Sequence, residues 1–382
     1  MSTSALSRAN KEAILHAARA AGPLSRTDIA RETGLSMATA SRLVTALVEE
    51  GLLAKAGSTT GTGGRPSRMV RFNDAAATTL AIDVTGSHTD IGLIDLGARV
   101  LERTRHEAAT DPDERVAQTL ELAENAYASA IARGHRCVAA GVSIPGPVDA
   151  DGTVDFAPAL NWRRIPLGTM LEKRVPIPTV VENDANLIAL AEYRHGRARG
   201  AGSLVAVAVF EGIGSGIIEA GRIWRGAHGA SGQLGRMLLD TTALRKVYAG
   251  FGDLETRLGA HGIARRAREA GIGEGGEARI LATLFEQRER GNATATRVLD
   301  GVMDEFAMSL ANVCALLDPE VVVFAGLFAQ WSHIVIPELS RLLVGHVLHL
   351  PSLLPATPAL DAALVGASDA AFDRFGSVAN LL

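Results

Sequence analysis

The sequence has few cysteine and aromatic residues and contains no long apolar run. Its two cysteines, Cys137 and Cys314, both lie in apolar segments, which excludes a disulfide framework and indicates buried free thiols in a reducing cytoplasm. The longest apolar runs, such as Val321–Ala329, are far shorter than the roughly 20 residues that a membrane-spanning helix needs. The N-terminus lacks a signal-peptide core. The sequence therefore predicts a cytoplasmic protein without a membrane segment.

The chain does contain enough apolar residues for a folded core, and its charge is distributed unevenly. Hydrophobic residues make up 47% of the 382 positions and charged residues 21%, which is typical of a globular protein of two or three domains. Residues 1–72 hold 10 Lys+Arg and 5 Asp+Glu, a net charge of +5, whereas the remainder holds 28 and 37, a net charge of −9. A basic N-terminal segment on an acidic body indicates one anionic macromolecular partner, bound at the N-terminus.

Three helical segments can be drawn in the first seventy residues. The first covers residues 7–21, the second begins at Ser25 with Asp28 as a capping partner and ends at Gly34, and the third runs from Ser36 to Gly51. Two helices joined by a short turn that contains glycine form the helix-turn-helix layout of DNA-binding proteins. The structural alternative is a pair of short helices with ordinary packing.

Two strand-like segments, residues 52–56 and 67–72, flank a loop rich in Gly, Ser and Thr, and this hairpin predicts a wing. We expect a winged helix-turn-helix domain over residues 1–72 that binds double-stranded operator DNA, followed by a linker over residues 73–79. Its third helix presents polar side chains that can reach base edges, and its wing carries arginines for phosphate contact. The predicted DNA-binding residues are Ser36, Thr39, Ser41, Arg42, Arg65 and Arg68. A wing used for dimerisation is the alternative role for the arginines.

The body is organised around the segment TVVENDANLIALAE, residues 179–192. An apolar strand leads into Asn183 and Asp184, and a helical pattern follows, so both polar side chains lie at the carboxyl end of a strand, where open α/β sheets bind ligands. Asp184 can accept a proton from a bound hydroxyl group that Asn183 orients. Helix capping is the alternative role for both residues. A second strand set after residue 202 repeats the pattern of the first, which predicts two α/β lobes with a cleft between them.

Several motifs in this order resemble the ROK family of repressors, open reading frames and kinases. They are LSRTDIARETGLSMATASRLV in the helices, GGRPSR in the wing, GVSIPGPVD at 141–149, VVENDANLIALAE at 180–192 and GIGSGIIEAGRIWRGAHGASGQLG at 212–235. The resemblance implies a two-lobed α/β body with the actin-like ATPase (ribonuclease H-like) sugar-kinase fold. We place the first lobe at residues 80–198, completed by a C-terminal helix over residues 363–382, and the second at 199–362.

The resemblance also assigns roles within the cleft. Asp184 matches the catalytic base and Asn183 a sugar-binding residue, while Gln233 and Arg236 occupy the positions of a sugar-binding Glu and of a His that contacts sugar and binds zinc. Asp83 and Gly86 match the first phosphate motif, Gly212, Gly214 and Gly216 match the second, and Gly326 matches the adenosine side. The predicted ligand-binding set is Asn161, Asn183, Asp184, Gln233 and Arg236.

The departures from the family pattern argue against catalysis. Thr85 replaces a glycine of the first phosphate loop, and Glu211 stands where kinases offer a threonine hydroxyl. A carboxylate about 4 Å from a triphosphate is repelled by roughly 1–4 kcal/mol per charge pair. Zinc needs about four N or S ligands, but Arg236 replaces the His and residues 237–259 contain neither Cys nor His. We therefore predict that ATP and zinc are both absent, that Asp184 is a vestigial base, and that packing alone holds the loop over residues 225–240.

The sequence thus predicts a transcriptional regulator, a repressor of carbohydrate-related genes, controlled by a sugar or sugar phosphate in a degenerate kinase cleft. The family and the twofold symmetry of operators imply a homodimer or homotetramer. Arg236 suggests an anionic group on the effector, unless it pairs with a nearby carboxylate such as Asp240. Two alternatives stay open: an ATP-dependent sugar kinase with an attached DNA-binding domain, and a DNA-binding protein with a vestigial pocket.

Overall fold

A computed structural model of the protein describes residues 3–59, 67–375 and 381. The N-terminal domain contains α1 (Thr3–Ala21), β1 (Leu24–Ser25), α2 (Arg26–Thr33), α3 (Met37–Glu49), β2 (Leu53–Thr59) and β3 (Ser67–Phe72). Helix α2 begins as the sequence predicts, because Ser25 and Asp28 form a reciprocal capping box. Strands β2 and β3 pair antiparallel, and β1 adds to β3. The predicted winged helix-turn-helix is confirmed, while residues 60–66, which include Arg65, lie outside the described residues.

The body begins with a five-stranded sheet in the order β10-β7-β4-β5-β6. Its β4, β7 and β10 are parallel, and β5 and β6 extend the sheet antiparallel. The elements of this half are β4 (Thr78–Val84), β5 (His88–Asp95), β6 (Val100–Glu107), α4 (Pro112–Ala132), β7 (Cys137–Ile144), β8 (Val154–Ala157), β9 (Trp162–Ile165), α5 (Leu167–Arg174), β10 (Thr179–Asn183) and α6 (Asp184–Arg194). Strand β4 begins inside the range predicted as a linker, and its first residues, Thr78 and Thr79, are buried in the body.

A second five-stranded sheet repeats this plan in the order β13-β12-β11-β14-β15. Strands β11, β12 and β13 form an antiparallel meander, while β14 and β15 continue parallel to β11. The elements are β11 (Ser203–Val209), β12 (Ile213–Glu219), β13 (Arg222–Ile223), α7 (Asp253–Leu258), α8 (Ala260–Glu269), α9 (Glu277–Glu289), α10 (Ala293–Leu317), β14 (Val321–Gly326), α11 (Leu327–Gln330), α12 (Ser332–Leu343) and β15 (Ser352–Pro355). The last helix, α13 (Ala362–Phe375), returns to the first half and packs on its sheet.

Helices α6 and α13 pack between the two sheets. One apolar cluster joins Ala81 and Val180 of the first sheet to Leu204 and Ala206 of the second through residues of both helices. Glycines permit the close packing: a Cβ at Gly216 of β12 would overlap the carbonyl of Ala185, and a Cβ at Gly366 of α13 would overlap the carbonyl of Leu187. Backbone therefore touches backbone at these points, so α6 cannot shift without moving its neighbours.

The N-terminal domain shares its apolar core with the body. Leu96 and Phe372 of the body lie in the same cluster as Ile14 and Leu15 of α1. The Arg19 guanidinium lies 4.1 Å from the ring centre of Phe372 and 5.9 Å from that of Phe72. Burial lowers the pKa of Arg19 from its ordinary value, although the nearby carboxylate of Asp369 acts in the opposite direction. A charged residue wedged between two rings thus joins the DNA-binding domain to α13.

Two further predictions concern the cysteines and membrane segments. Cys137 and Cys314 are buried free thiols, as predicted, and burial raises the pKa of both. Within the described residues, no helix combines the length and apolar character needed to cross a membrane.

Candidate functional site

A cleft of roughly 640 Å³, here called the inner cleft, lies where the carboxyl ends of β4, β10 and β14 meet the hairpin between β11 and β12. Ligand sites of open α/β sheets occupy this position. The structure brings most of the predicted cleft residues together: the lining includes Asp83, Thr85, Gly86, Asn183, Asp184, Glu211, Gly212, Gly214, Gln233, Arg236 and Gly326. These residues are far apart in sequence, so the two repeated halves of the body build one site.

Asn183 and Asp184 hold fixed positions at the start of α6. The Asn183 side chain caps α6 by accepting a hydrogen bond from the Asn186 amide at 3.3 Å, and it donates to Gly146 O at 3.1 Å and to Asp184 Oδ1 at 3.0 Å. Asp184 Oδ1 also accepts from the Ala185 amide at 2.8 Å. Asp184 Oδ2 has no hydrogen-bond donor among the described residues. Capping and ligand contact are therefore compatible roles for this pair, with Oδ2 left for a ligand.

The carboxyl groups of this end of the cleft oppose one another's ionisation. Burial raises the pKa of Asp184 to about 7, and the charges of Asp83 and Glu255 act in the same direction. Burial likewise raises the pKa of Asp83 to about 6 and raises that of Glu255. Near neutral pH, Asp184 can both accept and donate a proton, which is what a general base or a hydrogen-bond donor to a sugar hydroxyl requires.

Glu211 occupies the first phosphate loop. A Cβ built on Gly86 would lie 2.8 Å from both carboxylate oxygens of Glu211, so this side chain from the opposite lobe lies directly against the loop. Burial raises the pKa of Glu211. Thr85 closes the same loop as a tight turn, with its amide donating to His88 O at 2.9 Å and its hydroxyl accepting from the His88 amide at 3.1 Å.

The glycines of the second phosphate motif lie on the hairpin of β11 and β12. Gly212 is in the turn, while Gly214 and Gly216 are within β12 and face α6. A Cβ at Gly214 would lie 3.3 Å from the Ala185 Cβ. These two glycines let the first turn of α6, which carries Asp184, lie flat on β12.

Specific bonds hold the loop over residues 225–240, so the prediction that packing alone holds it is wrong. Arg225 Nε donates to Glu182 Oε2 at 2.6 Å, and the Glu182 side chain is only 7% exposed. Ser215 Oγ donates to Gly232 O at 2.9 Å. Glu182 is itself fixed by Asn186, which donates to Oε1 at 2.9 Å. An ion pair to the end of β10 thus braces the loop that carries Gln233 and Arg236.

Arg236 does not pair with Asp240, which was the alternative to an anionic ligand. Asp240 instead accepts from Arg257 at 2.6 Å, and Arg257 also contacts Asp253 at 3.1 Å. Arg236 donates to Gly250 O at 3.3 Å and lies 5.9 Å from the ring centre of Phe156. The guanidinium therefore has no ion pair among the described residues and lines the cleft beside Gln233.

Asn161 is not a cleft residue, and this prediction is wrong. It is exposed at the end of a short 3₁₀ helix, Pro158–Leu160, with a left-handed backbone, φ 54°. Pro158 and Ala159 of that turn line the cleft instead. Sequence reasoning also missed Phe156 and the pair Arg103 and Arg105, which line the cleft and share the buried carboxylate of Asp90. Their positions follow from strand pairing, as with Phe156 opposite Arg163 in the β8–β9 hairpin.

Three of the predicted DNA-reading residues, Ser36, Thr39 and Arg42, follow one another at a spacing of three along α3. Arg42 is exposed and Thr39 half-buried, while Ser36 caps the helix by accepting from the Thr39 amide at 3.2 Å. Ser41 is tied within the domain, because its hydroxyl accepts from Arg26 at 2.9 Å. Met37 at the start of the same helix is 50% exposed and was not predicted.

In the wing, Arg68 is exposed and Arg71 lies 3.6 Å from Asp74. Arg65 falls outside the described residues. Among the described residues, the exposed part of the predicted DNA-binding set therefore includes Arg42 on α3 and Arg68 on β3, with Met37 exposed at the start of α3.

Comparison with known protein families gives two matches. The ROK family model matches residues 79–373, and the model of the IclR helix-turn-helix domain matches residues 14–57. Among characterised relatives, the chain is 29% identical over 234 residues to the xylose repressor of Bacillus subtilis (strain 168), covering 61% of each protein. It is 27% identical over 330 residues to the DNA-binding transcriptional dual regulator NagC of Escherichia coli (strain K12), covering 83% of this chain and 80% of NagC. The chain thus spans under two thirds of that xylose repressor.

Two solved structures resemble the whole chain and its body. A ROK family transcriptional regulator, homologous to the E. coli MLC protein, superposes with a TM-score of 0.80 at 23% identity over 98% of this chain and 97% of that one. At this identity the likeness shows the fold. The ROK hexokinase of Thermus thermophilus superposes with a TM-score of 0.64 at 27% identity over 78% of this chain and 98% of the hexokinase.

Proposed function

The chain belongs to the ROK family, and from this premise we propose that it is a transcriptional repressor that binds operator DNA and is controlled by a sugar ligand, without phosphorylating that sugar. One observation carries the proposal. The same chain joins a winged helix-turn-helix, in which α3 is the predicted DNA-contacting helix, to a cleft of the sugar-kinase type. The carboxylate of Glu211 covers the first phosphate loop of that cleft. The repressors named above, which share both parts, support it.

Glu211 argues against productive nucleotide binding. Its oxygens lie where backbone close to Gly86 would receive phosphate oxygens, so a triphosphate must first displace this side chain. An ionised carboxylate within about 4 Å of a phosphate charge adds roughly 1–4 kcal/mol of repulsion per pair. This repulsion supports a cleft that binds its ligand without a nucleotide.

The residues in and near the loop over residues 225–240 do not fit a zinc site. The position of the family's histidine holds Arg236, a permanent cation that cannot ligate a metal. The carboxylates of Asp240 and Asp253 are both engaged by Arg257, and Asp253 also accepts from Tyr248 at 2.5 Å. Hydrogen bonds and ion pairs among these side chains thus stabilise the segment that zinc braces in the family.

Helices α6 and α13 connect the cleft to the DNA-binding domain. Asp184 begins α6, and Arg194 and His195 at its other end bind Asp373 at 2.5 Å and Asp369 at 2.8 Å on α13. One turn away, Phe372 of α13 meets Arg19 of α1. A ligand that binds one arrangement of the lobes more tightly than another therefore shifts the position of the winged helix-turn-helix domains. Because operators have twofold symmetry, the acting form is a homo-oligomer.

An ATP-dependent sugar kinase with a DNA-binding domain is the second candidate, and Asp184 favours it. The carboxyl group has a free Oδ2 in the cleft and a pKa of about 7, both suited to a base. The candidates differ in one measurable property, since only the kinase releases ADP when sugar and magnesium-ATP are supplied.

The test uses the full-length protein. Operator fragments are selected from genomic DNA, and binding is followed by fluorescence anisotropy with and without a panel of sugars, alongside ADP release and thermal shift. We expect sequence-specific DNA binding, loss of binding with one sugar class, a raised melting temperature with that class and no ADP above background. Turnover that Asp184→Asn abolishes would establish the kinase instead, and failure to bind any duplex at low salt would remove the repressor.

A further inference from the structure

A second cavity opens from the inner cleft on the side away from the phosphate loops. This outer pocket of about 500 Å³ is lined by residues that include Asp155, Phe156, Arg163, Gln233, Arg236 and Tyr248. Phe156, Gln233 and Arg236 also line the inner cleft, so the two cavities are contiguous. A ligand bound near Asp184 can therefore extend into the outer pocket past these three side chains.

Two guanidinium groups lie close to one aromatic ring in the outer pocket. Arg163 lies 4.5 Å and Arg236 5.9 Å from the ring centre of Phe156. Within the described part of the chain neither arginine forms an ion pair. Asp155, the carboxylate in the lining, is bound by Arg164 at 3.3 Å, and Arg164 also holds Asp149 at 3.0 Å. Glu255 of the inner cleft feels the charge of Arg236, but it is not within ion-pair distance of that side chain. Both arginines therefore keep donors for an anionic group of a ligand.

The two ends of the combined cavity have opposite polarity. The phosphate-loop end contains the carboxyl groups of Asp83, Asp184 and Glu211. Arg103 and Arg105 also line that end, but both bind Asp90, and Arg103 binds Asp361 as well, so their charges are matched. An anionic substituent is therefore repelled from one end and attracted to the other.

We propose that the effector is an acidic sugar, a carbohydrate with a carboxylate or phosphate group, and that it binds in one orientation. Its hydroxyl groups meet Asn183 and Asp184 in the inner cleft, while its anionic group lies in the outer pocket between Arg163 and Arg236 beside Phe156. Guanidinium groups suit this task, because their planar donors match the oxygens of carboxylate and phosphate and remain charged at every physiological pH. This inference rests on the proposed sugar-responsive function and specifies its ligand.

The test is calorimetry on the full-length protein with matched sugars: glucose, glucuronate, gluconate, glucose 1-phosphate and glucose 6-phosphate, and the corresponding galactose and N-acetylglucosamine series. We expect an anionic member of one series to bind at least about tenfold more tightly than its neutral parent. Comparison of carboxylates with phosphates identifies the anion. Arg163→Gln should weaken the anionic sugar about tenfold and the neutral parent less than about twofold. Arg236→Gln, whose side chain also lines the inner cleft, should weaken the anionic sugar more than the neutral parent.

Arg164→Gln is the matched control, since it removes the same charge one residue away from a side chain that is already paired and outside the pocket. It should leave both affinities within about twofold. Equal or tighter binding of the neutral parents would overturn the acidic-sugar inference and leave the repressor standing. Equal losses from Arg164→Gln and Arg163→Gln would overturn the pocket assignment. Binding of no sugar in any series would overturn both the inference and sugar control.

Discussion

Replacing Asp184 with Asn should stabilise the protein, and more so as the pH rises. The folded state raises the pKa of Asp184 from 3.8 to about 7, because burial and the charges of Asp83 and Glu255 disfavour the ionised form. Folded protein therefore holds more protons than unfolded chain between about pH 4 and pH 7, and the free energy of unfolding falls as the pH rises through that interval. Asn keeps the acceptor that Oδ1 offers to Asn183 and Ala185 and cannot ionise.

The size of the effect follows from the pKa. The interval from 3.8 to about 7 sets a ceiling of about 4 kcal/mol, at about 1.4 kcal/mol for each pH unit. Water reaches part of the side chain and Asp83 titrates with it, so we expect about 1–2 kcal/mol at pH 8. This corresponds to a rise of roughly 2–4 °C in the melting temperature of the body. Below about pH 4, where Asp184 is protonated in both the folded and the unfolded state, the difference between variant and wild type should be close to zero, and near pH 5 it should be about a third of its value at pH 8.

The assay is differential scanning calorimetry of both proteins in buffers spanning about pH 4 to pH 8. Asp253→Asn is a control of opposite sign. Burial acts to raise the pKa of Asp253, but hydrogen bonds from Tyr248, Leu239 and Arg257 outweigh it and hold that pKa below its ordinary value. This variant should lose stability at neutral pH and lose less as the pH falls. A constant difference between Asp184→Asn and wild type at every pH would refute the reasoning.

Three further predictions concern the coupling of the cleft to the DNA-binding domain, the Arg225–Glu182 ion pair and the DNA-contacting residues. Arg19→Ala should abolish release of DNA by sugar while sugar affinity stays within about twofold; intact release in the anisotropy assay would contradict the proposed coupling. Glu182→Gln should weaken sugar binding a few-fold in calorimetry, since it removes the charge that holds Arg225, whereas unchanged affinity would mean that the brace is dispensable. Thr39→Ala and Arg42→Ala should change base preference, whereas Arg68→Ala should weaken binding to all duplexes alike and reduce the salt slope by about 1. Equal losses of affinity for specific and random DNA in all three variants would show that α3 is not the helix that contacts the bases.

What the sequence predicted well are features that local pattern determines. Ser25 and Asp28 are three residues apart and cap α2 as predicted, and the apolar strand before Asn183 leads to the carboxyl end of the first sheet. Asn161 has a left-handed backbone conformation at the end of a 3₁₀ helix and does not line the cleft, and no pattern in the neighbouring residues predicts that conformation. The Arg225–Glu182 pair joins segments 43 residues apart and has no periodic signal.

The outer pocket lies between these cases. Phe156 and Arg163 face each other across a hairpin whose two strands have only four residues each. The short strands did not stand out in the sequence, so the pairing and the aromatic contact that follows from it were not predicted. A hairpin recognised in the sequence would have placed both residues on one face.

The apolar core that α1 shares with Leu96 and Phe372 affects how this protein can be engineered. Transplanting residues 1–72 onto a different sensor would strip one wall from that core and expose Ile14 and Leu15 to water. A chimera must therefore supply an apolar residue in place of Phe372; otherwise the transplanted domain will fold poorly and aggregate. The N-terminal domain is separate in sequence, but in the structure it shares one apolar core with the body.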